Sequence, residues 1–145
     1  MTDYAQLTDV QKKWVDRNLD KQAIIGMNAD RQKRKEQLSR LVRLSGARCR
    51  WSNLPLKFET ESAGGAQGIR TDPLYATVDH REPGRHDHGH DIVCSRINDA
   101  KGTLPWSVWL ATTDTQTFKE WIASLQEEYV RTGKLVRPVS LQQTT

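Results

Sequence analysis

Cysteine is scarce in this 145-residue chain, which holds only Cys49 and Cys94. Two thiols so far apart form neither a disulfide scaffold nor the paired spacing of a zinc site. No structural zinc is expected, and a reducing cytoplasm is the expected compartment. Long hydrophobic runs are also missing. Nothing approaches the ~20 consecutive apolar residues of a membrane span, so no membrane partner is expected. The opening Met1-Thr2-Asp3-Tyr4 lacks the basic-then-apolar pattern of a secretion signal. No internal repeat is present. Acidic excess is absent too, since the net charge is +4. The basic excess belongs to one part of the chain. Residues 1–50 carry 12 Lys/Arg against 6 Asp/Glu, and residues 51–145 carry 10 against 12. A basic surface attracts polyanions by neutralising phosphates and releasing their counterions. A solvated helix face has the same composition.

The length suits one domain with a modest core. Thr8 with Gln11 has the form of a capping box, and Val10, Trp14, Val15 and Leu19 follow at helical spacing, which predicts a helix over 9–25. Asn28 or Asp30 would cap a second helix running to about Leu44, with Leu38, Leu41, Val42 and Leu44 facing inward and Ser45-Gly46 as its stop. Its first turns, Arg31-Gln32-Lys33-Arg34-Lys35, hold nothing apolar and must face water or an anion. Cys49–Phe58 reads as a short ribbon or edge strand containing Pro55, and Glu61–Asp72 as a Gly-rich loop. Leu74–Val78 and Ile92–Cys94 read as short strands, with a turn at Pro83-Gly84 and a polar loop over Arg85–Gly89 between them. Ser95 starts a short helix to Ala100. Thr115 or Asp114 caps a last helix over roughly 116–132, ended by Gly133, with Phe118, Trp121, Ile122, Leu125 and Tyr129 on one face. That stripe is expected against the N-terminal helices or as a dimer seam. Trp106, Trp109 and Leu110 are expected to pack in the core or at an interface, and the tail from Leu135 to fray.

The chemistry concentrates between residues 74 and 101. Asp79-His80 ends the first strand, and Asn98 lies on the helix just before Lys101-Gly102. A carboxylate and a carboxamide are two hard oxygen ligands for one divalent cation, and an imidazole is a base that works near neutral pH. Phosphodiester hydrolysis needs those two things: water must lose a proton, and charge on phosphorus must be stabilised. Side chains of neighbouring strand residues point apart, so a twist at Arg81-Glu82-Pro83 would have to bring Asp79 and His80 to one cleft. Arg85-His86-Asp87-His88-Gly89-His90 places three imidazoles at alternate positions. It reads as a polar loop, or as a second metal site that would take Ni²⁺ or Zn²⁺. His90 would be a third ligand beside Asp79 and Asn98.

Asp79-His80-x-x-Pro83, then Ile92-Val93-Cys94-x-x-x-Asn98-x-x-Lys101-Gly102, resembles the HNH endonuclease family. Upstream, Cys49-Arg50-Trp51-Ser52-Asn53-Leu54-Pro55 is similar to that family's first ribbon. The resemblance covers about residues 47–105. It implies an α+β fold whose ββα-metal core is flanked by an N-terminal basic helical arm over 1–46 and a C-terminal helix and tail over 106–145, all in a single domain. It implies a metal-dependent DNA endonuclease in which His80 is the general base and Asp79 and Asn98 hold Mg²⁺ or Mn²⁺, leaving a 5′-phosphate and a 3′-hydroxyl. Arg81, Arg96 and Lys101 would contact phosphate, and Lys33, Arg34 and Lys35 would track the DNA backbone. Relatives of this kind occur in phage and mobile elements. Cutting both strands would require a homodimer or two events. The family's middle Asn falls at Gly89, so His90 or Asp91 would have to replace it. Of the paired-Cys zinc knuckles, one thiol each remains, in Cys49-x-x-Ser52 and Cys94-x-x-Ile97. Two other functions remain open: a DNA-binding module of the same build without cleavage, and a basic helical adaptor.

Overall fold

The computed structural model describes residues 2–21, 30–59 and 72–135. A 3-10 turn (Tyr4–Gln6) leads into helices α1 (Asp9–Asn18) and α2 (Arg31–Ser45). Strands β1 (Ala76–Glu82) and β2 (Arg85–Cys94) form an antiparallel hairpin, followed by α3 (Ser95–Lys101), α4 (Trp106–Thr113) and α5 (Gln116–Thr132). The fold of the described residues is therefore mixed α+β, with five helices and one two-stranded sheet.

Local chemistry explains most boundaries. Thr8 Oγ1 accepts from Gln11 N at 3.2 Å and Gln11 Oε1 accepts from Thr8 N at 3.0 Å, so both halves of the capping box are made. Helix α1 stops at Asn18 rather than 25. The Asn18 amide donates to Trp14 O at 2.7 Å, a local bond that competes with continued helix. Residues 22–29, including Asn28, lie outside the described residues. Asp30 caps α2 by accepting from Gln32 N and Lys33 N, and Gly46 ends it at φ 62°. Leu38 and Val42 are buried and Leu41 packs against the core, whereas Leu44 is 61% exposed. From Leu38 the buried stripe passes through Leu41 and Val42, and Leu44 lies outside it, about a third of a turn round the helix from Leu38.

The expected ribbon over Cys49–Phe58 is a tight loop instead. Cys49 N donates to Leu54 O and Asn53 N to Cys49 O, with Asn53 in the left-handed region at φ 60°. Isolated bridges join Arg48 to Pro55 and Lys57 to Tyr75. The expected loop over Glu61–Asp72 lies, apart from Asp72, outside the described residues. Burial in this region takes in Cys49, Ser52, Cys94 and Ile97, the positions that the resemblance aligns with zinc knuckles. The two thiols are free and hydrogen-bond each other, and Ser52 bonds to both. The bond to Cys49 and burial push the Cys94 thiol up.

Both strands extend further than the apolar pattern indicates. β1 begins at Ala76 and continues past His80 to Glu82, and the expected polar loop Arg85–Gly89 is the first half of β2. The register pairs Ala76 with Cys94, Val78 with Ile92, Asp79 with Asp91 and His80 with His90, and it shifts between His80 and Glu82. One face therefore presents Ala76, Val78, Ile92 and Cys94 to the core, where Trp14 Nε1 also donates to Ala76 O at 3.1 Å. Towards the hairpin tip that same face becomes His80 and His90.

Helix α4 was not foreseen as a helix. Pro105 precedes it, and Glu82 at the end of β1 accepts from Trp106 N at 2.9 Å, fastening the hairpin tip to its first turn. Trp109 is buried and Trp106 partly so, whereas Leu110 is exposed. Thr115 caps α5 and Gly133 ends it. The α5 stripe meets Trp109 through Phe118, with rings 5.4 Å apart, and Gln126 donates to Ser52 O. The expected partners were the N-terminal helices. Leu135 is buried rather than frayed, and residues 136–145 lie outside the described residues. Buried side chains from all three stretches of the chain form one core. No described helix is long and apolar enough to cross a membrane.

Candidate active site

The hairpin carries two polar centres, one on each face. Thr77, Asp79 and Arg81 alternate along β1 on the face that α3 covers. Asn98 Nδ2 donates to Thr77 Oγ1 at 3.0 Å, which leaves the Asn98 carbonyl oxygen as its ligand atom. Lys101, one turn further along α3, is 1% exposed. Its ammonium donates to His80 O at 2.8 Å and to Asp79 Oδ1 at 3.3 Å. It also lies 3.3 Å from Asp79 Oδ2, yet that oxygen is buried with no hydrogen-bond partner. Desolvation raises the Asp79 carboxyl to about 6 against the pull of Lys101.

Asp91, across from Asp79, is clamped by two guanidiniums. Arg50 Nη1 lies 2.7 Å from Oδ1, and Arg81 makes a two-pronged contact through Nε and Nη2 at 3.2 Å each. Arg81 reaches Asp91 by lying across Gly89, whose missing Cβ would sit 3.4 Å from Arg81 Cδ. Gly89 also has φ 96°, a conformation side chains rarely adopt. Gly89, where the resemblance would put an Asn, is thus spanned by Arg81, and Asp91 ties β1, β2 and the Arg50 loop together.

On the opposite face His80 meets His86 and His90. Ring centroids are 4.5 Å apart for His80–His86, 4.8 Å for His80–His90 and 5.1 Å for His86–His90. His86 Nδ1 lies 2.9 Å from His90 Nε2. Desolvation, then repulsion from His80 and His86, lowers His90 to about 4. Desolvation, then His86 and Lys101, lowers His80. Both rings are therefore neutral near pH 7. His88 stands apart, exposed beside Asp87.

The expected site residues are divided accordingly. Asp79 and Asn98 share the α3 face, with Lys101 bridging to Asp79, and His90 belongs to the histidine face. β1 does not end or twist at His80 in a way that merges the two. Among the six expected nucleic-acid contacts, Lys33 is exposed on α2, and Lys35 places its ammonium 3.9 Å over the Tyr4 ring. Arg34 and Lys101 are buried, so neither presents a surface charge. Arg81 is committed to Asp91 and lies 5.6 Å over Trp106, and Arg96 stacks 5.0 Å over Trp121. Sequence reasoning missed Arg40, which lines a cleft with His86 and His90, and Arg48 and Arg50, which line its neighbour with His90 and Asp91. The alternation Arg48-Cys49-Arg50, with only the thiol buried, was the available signal. No family model, curated protein or solved structure matches this chain.

Proposed function

We propose that this chain is a metal-dependent DNA endonuclease built on a ββα-metal core over about residues 47–105. His80 is the general base, and Asp79 with the Asn98 carbonyl oxygen holds a hard divalent cation, Mg²⁺ or Mn²⁺. The observation that carries this reading is Asp79 Oδ2, a buried carboxylate oxygen without a hydrogen-bond partner on the face to which α3 brings Asn98. Lys101 offsets the charge of this oxygen at 3.3 Å but leaves it without a hydrogen bond, and the donor set of one carboxylate and one carboxamide suits a hard ion. When bound, that ion supplies Lewis-acid stabilisation of charge on the scissile phosphate.

The chain's own residues do the rest. His80 is half-buried and neutral, so its ring can accept the proton of a nucleophilic water. Lys101 holds the His80 carbonyl and thereby fixes the base's backbone against α3. Arg40 and Arg48, with exposed Lys33 of α2, offer positive charge beside the hairpin for the DNA backbone. The products carry a 5′-phosphate and a 3′-hydroxyl. One site cuts one strand, so a double-strand break takes a homodimer or two events.

The test is supercoiled plasmid incubated with Mg²⁺, Mn²⁺ or EDTA, comparing wild type with His80→Ala. Metal-dependent nicking that is lost in the variant supports the reading, and no nicking in either metal overturns it. A DNA-binding module without cleavage is the second reading. It is favoured by Lys101, whose ammonium already neutralises Asp79, and by the strand alternation that puts the His80 ring on the face opposite Asp79. Salt-sensitive DNA binding without nicking would select it.

A further inference from the structure

His80, His86 and His90 are the one group of three or more His, Cys, Asp or Glu side chains among the described residues whose ligand atoms converge, all within 4.8 Å of one another. Their rings come from three places. His80 lies on β1, His86 at the start of β2 and His90 past the Gly89 kink, so the hairpin itself closes the triangle. Helix α2 forms the opposite wall of a cleft of about 290 Å³ that reaches His86 and His90, with Gln37, Arg40 and Leu41 lining it. An ion therefore has an entry path.

The donor set differs in kind from that of the other face. Imidazole nitrogens suit zinc, copper, nickel and cobalt, whereas Mg²⁺ demands oxygen. Three imidazoles would leave one tetrahedral position for water. Each of the three residues offers one ring nitrogen to the common centre, and imidazole ligates through an unprotonated nitrogen. His86 Nδ1 and His90 Nε2 already face each other at 2.9 Å. Tetrahedral coordination at ~2.0–2.1 Å puts ligand nitrogens about 3.4 Å apart, a separation that small ring rotations reach from here.

We propose that His80, His86 and His90 form a three-imidazole site for a borderline transition-metal ion such as Zn²⁺, distinct from the oxygen site at Asp79 and Asn98, and that filling it switches the enzyme off. A ring bound to metal through one nitrogen carries its proton on the other. Ligated His80 then has no lone pair for the proton of water. The inhibitory half rests on the nuclease reading, and the metal site does not.

The experiment uses the untagged full chain stripped of metal. Co²⁺ binding is followed by its visible d–d bands, and Zn²⁺ affinity by competition with a chromophoric chelator. One equivalent is expected, unaffected by excess Mg²⁺. Affinity should fall roughly a hundredfold in His86→Ala and in His90→Gln, and stay unchanged in Asp79→Asn, with circular dichroism confirming that each variant is folded. Absence of Co²⁺ bands, affinity indifferent to His86→Ala, or equal loss in Asp79→Asn overturns the site. In the plasmid assay, stoichiometric Zn²⁺ should suppress Mg²⁺-dependent nicking, and His86→Ala should lose a smaller fraction of its own rate to Zn²⁺. Nicking that Zn²⁺ leaves untouched overturns the inhibition. If wild type nicks under no condition, the nuclease reading fails and the metal titration alone decides the site.

Discussion

Asp79 and His80 are consecutive in β1, yet their surroundings are built on opposite plans. The Asp79 face compensates charge with charge. Two carboxylates lie across the strands from each other, Lys101 serves one and Arg50 with Arg81 serve the other. The His80 face carries no ion pair at its centre: burial first, then the neighbouring rings, lowers His80 and His90. Adjacent residues can therefore be tuned in opposite directions, a carboxyl upward and imidazoles downward, by the strand's alternation alone. The two opposed shifts belong to separate faces of one hairpin, the carboxyl on the α3 side and the imidazoles on the other.

The comparison can be broken first at the base. His80→Ala should lower plasmid nicking by roughly 10²–10⁴-fold with little change in stability, since it removes a half-exposed ring from the uncharged face. The opposite face should respond in stability. Asp79→Ala leaves the Lys101 ammonium buried without its partner and should cost on the order of 3–5 kcal/mol in urea unfolding, and Asp79→Leu combined with Lys101→Met should recover most of that loss. Equal destabilisation by His80→Ala and Asp79→Ala would dissolve the distinction between the faces.

A pH series sharpens it. The histidine terms have folded values below the unfolded 6.5, so their contribution is complete above that value and is lost as pH falls towards 4. Asp79 has the reverse sign. Its folded value of about 6 exceeds the ordinary 3.8, so its contribution is present at low pH and lost as pH rises through 6. The two oppose each other between about 4 and 6. His90→Gln should therefore gain stability relative to wild type as pH drops from 6.5 to 4, measured by urea midpoints. A variant that tracks wild type across that window would contradict a neutral His90. The smallest effect is expected at Gly89→Ala, where positive φ and the Arg81 contact should together cost about 1–2 kcal/mol.

Much of the helical frame was legible because its signals are local. Thr8-x-x-Gln11, Asp30, Thr115 and Gly133 act within a turn of themselves, and each cap is made. Helix α4 was illegible because Trp106, Val108, Trp109 and Leu110 give no one-sided stripe, and its first N–H is satisfied from Glu82, 24 positions away. β2 was cut short in the reading because Arg85–Gly89 has no apolar alternation, and pairing with β1 alone makes it a strand. At the site, Asp79, His80 and Asn98 stood out by residue type and spacing. Lys101 as a buried partner of Asp79 did not, since burial of an ammonium has no signature along the chain. Alternation grouped His86, His88 and His90, but the left-handed Gly89 and the register shift beyond His80 replaced His88 with His80.

The ammonium of Lys101 is a cation that arrives with the polypeptide. A small domain that relies on dissolved ions to neutralise its interior assembles only where those ions are supplied. Here Lys101 already sits between Asp79 and the His80 carbonyl, and Cys49, Ser52, Cys94 and Ile97 are packed in the core. Lys101 supplies one such positive charge from within the chain. Its pull on Asp79 is present whatever the solution holds, and any dissolved cation at that carboxylate has to compete with it.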